Sequence, residues 1–124
     1  MLADYGDQAP EIILMASGSE VDLVVRSAGN LAAEGINVRI VSFPSWELFT
    51  VQDQEYQDSV LLPEVNRRIA VEAGVSQGWD RWVGDHGAII AIDRFGASAP
   101  YKILYEQFGL TVENIVSTAR DLMR

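Results

Sequence analysis

Three places in this sequence carry residue types able to bind anions or move protons. Ser17-Gly18-Ser19 stands between a short apolar run and an amphipathic one, the position of a helix N-terminus, whose free amides and positive dipole end attract phosphate or carboxylate. Arg94 precedes Gly96-Ala97-Ser98-Ala99-Pro100, a second such turn, and a guanidinium can grip an anion through two parallel hydrogen bonds. Ser17, Gly18, Ser19, Arg94 and Ser98 are therefore the candidate anion-binding set. Neither segment has the Gly-x-Gly-x-x-Gly or Gly-Lys-Ser/Thr pattern of a nucleotide loop, and a serine at either place would also serve simply to cap a helix.

Proton transfer has weaker candidates. Glu72 and Asp93 fall at or just past the ends of apolar runs, where a desolvated carboxyl could act as acid or base, although such groups commonly accept loop amides. His86, the single histidine, sits in Asp85-His86-Gly87 ahead of a strand, with no Cys or second His to complete a metal site. No nucleophile and base stand at a recognisable spacing. Catalytic, cofactor-binding and metal-ligating residues are thus all expected to be absent from this chain.

The elements that position these loops follow from periodicity. Apolar runs at 12–16, 38–43, 69–73 and 88–92 read as strands, and their near-continuous hydrophobicity implies a sheet covered on both faces, hence mostly parallel. Ser19 with Asp22 opens a helix whose apolar stripe is Val21, Val24, Val25, Ala28, Leu31 and Ala32, closed by Gly35. Thr50 with Asp53 predicts a polar helix to about Leu61, ahead of Pro63. Ser76 opens a short helix through Trp79 and Trp82, with Trp79 to Val83 the candidate subunit contact, and Pro100 leads a helix ending at Gly109. Thr111 caps the last helix, with Val112, Ile115, Val116, Ala119 and Leu122 facing inward. Strands alternating with helices predict a three-layer α/β/α domain, whose strand ends at Ser17, Phe43, Gly74 and Arg94 form the natural ligand edge.

Composition sets the outer limits. The 124 residues are 48% hydrophobic and 22% charged, the profile of one folded domain. Eighteen acidic residues against nine basic ones give a net charge of −9, which opposes a nucleic-acid or anionic-membrane partner. The absence of cysteine excludes disulfides and thiol chemistry. The amino end lacks the basic start and apolar run of a secretory signal, and no apolar stretch approaches the roughly 20 residues that span a bilayer, so a cytoplasmic protein is expected.

The loops taken together are more specific than any one alone. Ile13-Leu14-Met15-Ala16-Ser17-Gly18-Ser19-Glu20-Val21, Val38 to Ser45, Arg68-Ile69-Ala70-Val71-Glu72-Ala73-Gly74, Gly87-Ala88-Ile89-Ile90 and Phe95-Gly96-Ala97-Ser98-Ala99-Pro100 resemble, in that order, the C-terminal domain of transketolases. Phe108 to Asn114 is similar to that family's entry to its last helix, and the likeness runs from about residue 10 to the end. The resemblance implies a five-stranded sheet with one antiparallel edge strand beside 38–43. Residues 1–9 have little apolar pattern and read as a linker or a remnant of that strand, which would leave the 38–43 edge open to self-pairing.

It further implies that 12–16 and 69–73 are neighbours flanking a switch point. The parent enzyme would be a homodimer of the pentose phosphate pathway that moves a two-carbon ketol unit between sugar phosphates, using thiamine diphosphate and a divalent metal, magnesium or calcium. The family's cofactor motif, catalytic glutamate and phosphate ligands belong to earlier domains. Gly84-Asp85-His86 with Asn114 mimics that cofactor motif but places His where its second Gly should be. The implied partners of this domain are the other transketolase domains and the second subunit, and the implied role is structural. A regulatory small-anion or phosphate module at the strand-end edge is the alternative.

Overall fold

The computed structural model describes residues 2–16, 21–42, 51–72, 83–84, 87–91 and 111–123. Within them the chain forms β1 (Leu2–Tyr5), β2 (Ile12–Ala16), α1 (Val21–Ala33), β3 (Val38–Ser42), α2 (Gln54–Val60), β4 (Arg68–Glu72), β5 (Ala88–Ala91) and α3 (Val112–Leu122). The strands join in one sheet of order β1-β3-β2-β4-β5. All pairings are parallel except β1 with β3. β1 therefore fills the edge position that the resemblance implied, and the β3 edge is covered from Val38 to Val41, not open. Sequence pattern hides this strand because Leu-Ala-Asp-Tyr is short and half polar, as suits an edge with one neighbour.

β2 lies at the centre, and all five of its residues are fully buried, which is why it reads as an unbroken apolar run. Its even-numbered side chains Ile12, Leu14 and Ala16 pack with Leu23, Val24, Ala28 and Leu31 of α1 and with Ile115, Val116 and Ala119 of α3. Its odd-numbered side chains Ile13 and Met15 face the other way, onto Val41, Leu61, Val65, Ala70 and Val83. The chain steps from β2 to β3 in one direction and from β3 across to β4 in the other. Right-handed crossovers then put α1 and α2 on opposite faces, completing three layers.

α1 ends as its glycine foretold. Gly35 has φ +86, its amide donates to the Ala32 carbonyl, and the Ile36 amide donates to Leu31 at 3.0 Å, a Schellman turn that folds Ile36 back onto the core. Ser27 is a buried residue outside the expected stripe; its hydroxyl donates to the Leu23 carbonyl at 2.7 Å, so a polar group lies at 0% exposure without an unmet bond. Ser19, the expected cap of α1, lies outside the described residues.

Thr50, the expected first member of a capping box, lies outside the described residues, and the helix begins later than expected. Asp53 is itself the N-cap of α2, its carboxylate accepting from the Tyr56 amide at 2.8 Å, and a charge-assisted bond is the stronger of the two capping options. α3 begins as predicted, with the Thr111 hydroxyl accepting from the Asn114 amide at 3.1 Å. Gly87 leads into β5 through a close approach: a Cβ there would stand 2.5 Å from the carbonyl oxygens of both Arg68 and Val83.

Candidate functional site

Because β2, β3, β4 and β5 run parallel, their carboxyl ends at Ala16, Ser42, Glu72 and Ala91 share one edge of the sheet. β2 and β4 are paired there, Ala16 opposite Val71, and the connections leaving β2 and β3 depart toward opposite sides. That divergence is the switch point at which open α/β sheets bind ligands. Ser17, Gly18, Ser19, Arg94 and Ser98 lie outside the described residues, as do Asp93, His86, Trp46, Trp79 and Trp82. The structure thus brings together the strand ends that lead into the candidate loops and describes none of their side chains. Glu72 is the last residue of β4, in register with Ala91.

β1 adds something the strand ends alone did not suggest. It runs antiparallel, with Leu2 opposite Val41, so the chain enters the domain at this same carboxyl edge. Of the Trp79 to Val83 stretch expected in a subunit contact only Val83 is described, and it packs inside the chain at 5% exposure against the cluster holding Ile13 and Met15.

The opposite edge holds polar chemistry that sequence reasoning missed. The Asn37 side-chain amide donates to Glu11 Oε2 at 3.0 Å, its carbonyl accepts from the Gln8 amide at 3.1 Å, and its backbone N–H donates to the same Glu11 oxygen at 2.9 Å. Gly6, at φ +107, sits so close that a Cβ would collide with the Asn37 side chain. With Asp7, Ala32 and Gly35 these residues line a concavity of about 270 Å³. Its bonds knit the β1–β2 turn to the start of β3. Among the described residues no group of three or more His, Cys, Asp or Glu is placed to hold a metal ion.

Among the described residues four arginines tie segments together. Arg39, in β3, grips both carboxylate oxygens of Asp4 at 2.8 and 3.0 Å, a contact that raises its pKa further, and its remaining terminal nitrogen donates to the carbonyls of Ser59 and Val60 at 3.0 and 3.3 Å. Arg120 holds Glu34 through 2.9 and 2.5 Å bonds that keep the Glu34 carboxyl below its ordinary pKa, joining α3 to the end of α1. Arg67 donates to the Leu122 carbonyl at 2.9 Å, capping α3 from the loop before β4. Arg68 donates to the carbonyls of Val65 and Leu62, and burial lowers its pKa against the opposing pull of Asp58. The signal for Arg39 was available, since a cation inside Val-Arg-Ile-Val-Ser must find a partner or point outward.

Of the look-alike cofactor motif only Gly84 and Asn114 are described, Asp85 and His86 lying outside the described residues. Gly84 lies in the turn before β5, at the amino edge, whereas Asn114 lies in the first turn of α3. α3 reaches the amino edge only at its other end, where Leu122 meets Arg67. Eight residues of helix, roughly 12 Å, separate Asn114 from that end.

A family model described as the transketolase-like C-terminal domain matches residues 1–111. The transketolase of Geobacillus stearothermophilus is 50% identical over 115 residues, covering 93% of this chain and 17% of that protein. Transketolase 10 of Craterostigma plantagineum gives the same identity and coverage. The chain thus spans about one-sixth of the curated relatives it matches. Among solved structures, the transketolase of Leishmania mexicana superposes with a TM-score of 0.85 at 40% identity, over 98% of this chain and 18% of that one. A split-gene transketolase described as an inactive beta4 tetramer shares the fold, with a TM-score of 0.66 at 20% identity over 97% of this chain and 42% of its own.

Proposed function

Since the chain belongs to the family of transketolase C-terminal domains, we propose that it is the non-catalytic domain of a transketolase, with a structural and subunit-contact role. The observation that carries this reading is the pairing of Leu2 with Val41, which brings the entering chain to the carboxyl edge. Whatever precedes this domain joins it where an α/β sheet would otherwise open to a ligand. Ketol transfer between sugar phosphates, and the thiamine diphosphate and divalent metal it requires, are assigned to the longer protein. Thiamine diphosphate supplies carbanion stabilisation when bound. No described residue here offers it a metal cluster, and the domain's part is to hold the assembled subunits in place. The dimeric state and a cytoplasmic setting belong to the same reading, supported by the acidic charge and by the lack of any membrane-length apolar helix among the described residues.

The isolated chain, given thiamine diphosphate, a divalent metal, a ketose phosphate and an aldose phosphate, is expected to show no ketol transfer. Grafted in place of the equivalent domain of the Geobacillus stearothermophilus transketolase, it is expected to give a folded dimer with measurable activity. Turnover by the isolated chain, or a graft that folds but neither dimerises nor works, would overturn the reading.

The switch point between β2 and β4 favours one second reading, a regulatory anion module built from Ser17, Gly18, Ser19, Arg94 and Ser98. Titration with inorganic phosphate should then move the backbone amide signals of residues 17–20, and Ser19→Ala and Arg94→Ala should each weaken the response about tenfold. Unmoved signals at millimolar phosphate would remove the module.

A further inference from the structure

We propose that Arg39 couples β1 to α2, so that the attachment of the edge strand by which the chain enters the domain sets the local stability of a surface helix. One guanidinium serves both. Its Nε and one terminal nitrogen hold the two oxygens of Asp4 in β1, and the other terminal nitrogen holds the last carbonyls of α2, at Ser59 and Val60.

The two attachments are not alike in what else supports them. α2 buries none of its seven residues, and its contact with the core comes late, through half-buried Val60 and the following Leu61 and Leu62. A helix of two turns without a buried face is marginal in water and depends on its caps. Asp53 closes its amino end and Arg39 its carboxyl end. Arg39 is 12% exposed at the side chain while Asp4 is 45% exposed, so the cation is fixed in the protein and the carboxylate that orients its fork is the accessible partner. Removing that carboxylate frees the guanidinium to rotate away from α2 and leaves a half-buried charge to seek water.

Displacement of β1, by a pull from the preceding chain or by a partner on the edge strand, therefore reaches α2 without passing through the hydrophobic core. α2 opens as a small unit of its own, as surface helices with few buried contacts do.

Backbone amide hydrogen exchange on the whole 124-residue chain tests this. In Asp4→Asn, the Leu61 amide that donates to the Gln57 carbonyl should exchange about tenfold faster. The amides of Ile13, Leu14 and Met15 should keep their protection. Arg39→Lys, which retains the charge but not the fork, should behave like Asp4→Asn, and Asp4→Glu should recover most of the protection. Unchanged exchange at Leu61 in Asp4→Asn would overturn the coupling. So would an equal loss across β2 and β4, or a failure to fold, since either would make β1 and α2 parts of one cooperative unit.

Discussion

Leu14→Ala should lower the unfolding free energy by about 3 kcal/mol, read as a drop in the urea midpoint at unchanged slope. Leu14 is the middle residue of the middle strand, fully buried, in register with Ile40 on one side and Ile69 on the other. Its side chain lies in the cluster that α1 and α3 cover together, so truncation leaves a void with helices on one side and sheet on the other. A pleated sheet with paired neighbours on both sides has little room to collapse, which keeps the cost above the low end of the range for such truncations, about 2 kcal/mol. Against a total stability of about 5–15 kcal/mol for a domain, this is enough to unfold a noticeable fraction at physiological temperature. A loss under about 1 kcal/mol would mean that the helix layer settles into the gap, and that the two layers are less firmly joined than the buried cluster implies.

Gly87→Ala is expected to cost about as much, around 3 kcal/mol, through overpacking and not a cavity. The added methyl would meet two backbone carbonyls, of Arg68 and Val83, at 2.5 Å, and neither is the free end of a flexible side chain. Arg68 begins β4, and its neighbour Ile69 pairs with Ala88, so relief requires β5 to shift away from β4, its one partner among the described residues. The matching control is Gly29→Ala in α1, where the new methyl meets nothing within 4 Å beyond its own helix's local backbone and chain neighbours, and the gain in helix propensity should stabilise by up to about 1 kcal/mol. Opposite signs for the two glycines in thermal unfolding would confirm that the Gly87 effect is steric. Equal, small effects would refute it.

Much of this architecture was legible because β2 through β5 and the two long helices announce themselves by apolar spacing alone. Ile12–Ala16 appears in the structure with the same limits that its composition suggested, and Gly35, by its positive φ, and Thr111, by its hydroxyl, cap helices where the sequence placed them. β1 was not legible by pattern, because Asp4 and Tyr5 obey edge-strand economics of exposure and not core periodicity; only the resemblance implied a strand there. The start of α2 was misplaced because Thr50 and Asp53 are both good caps and sequence alone does not rank them.

The candidate site divides differently. The sheet edge that carries it follows from the parallel order, while its named residues, Ser17 to Ser19, Arg94 and Ser98, lie outside the described residues. That Arg39 needed a partner was legible from its apolar strand, but the identity of the partners was not: Arg39 with Asp4 and Arg120 with Glu34 join positions far apart in sequence, and nothing local records such pairings.

The antiparallel placement of β1 also bears on the order in which the molecule can be made. Within this domain β1 has nothing to pair with until β3 has emerged, and β2, although next in line, does not pair with it in the sheet. The sheet is therefore expected to begin with the β2–α1–β3 crossover and add β1 from outside, while α3, which follows β5 in the chain, closes the same face only later. Until then Ile12, Leu14 and Ala16 have α1 over them but not α3. The nascent domain is left with one half-roofed face, the state in which it would be most vulnerable to aggregation and most in need of a chaperone.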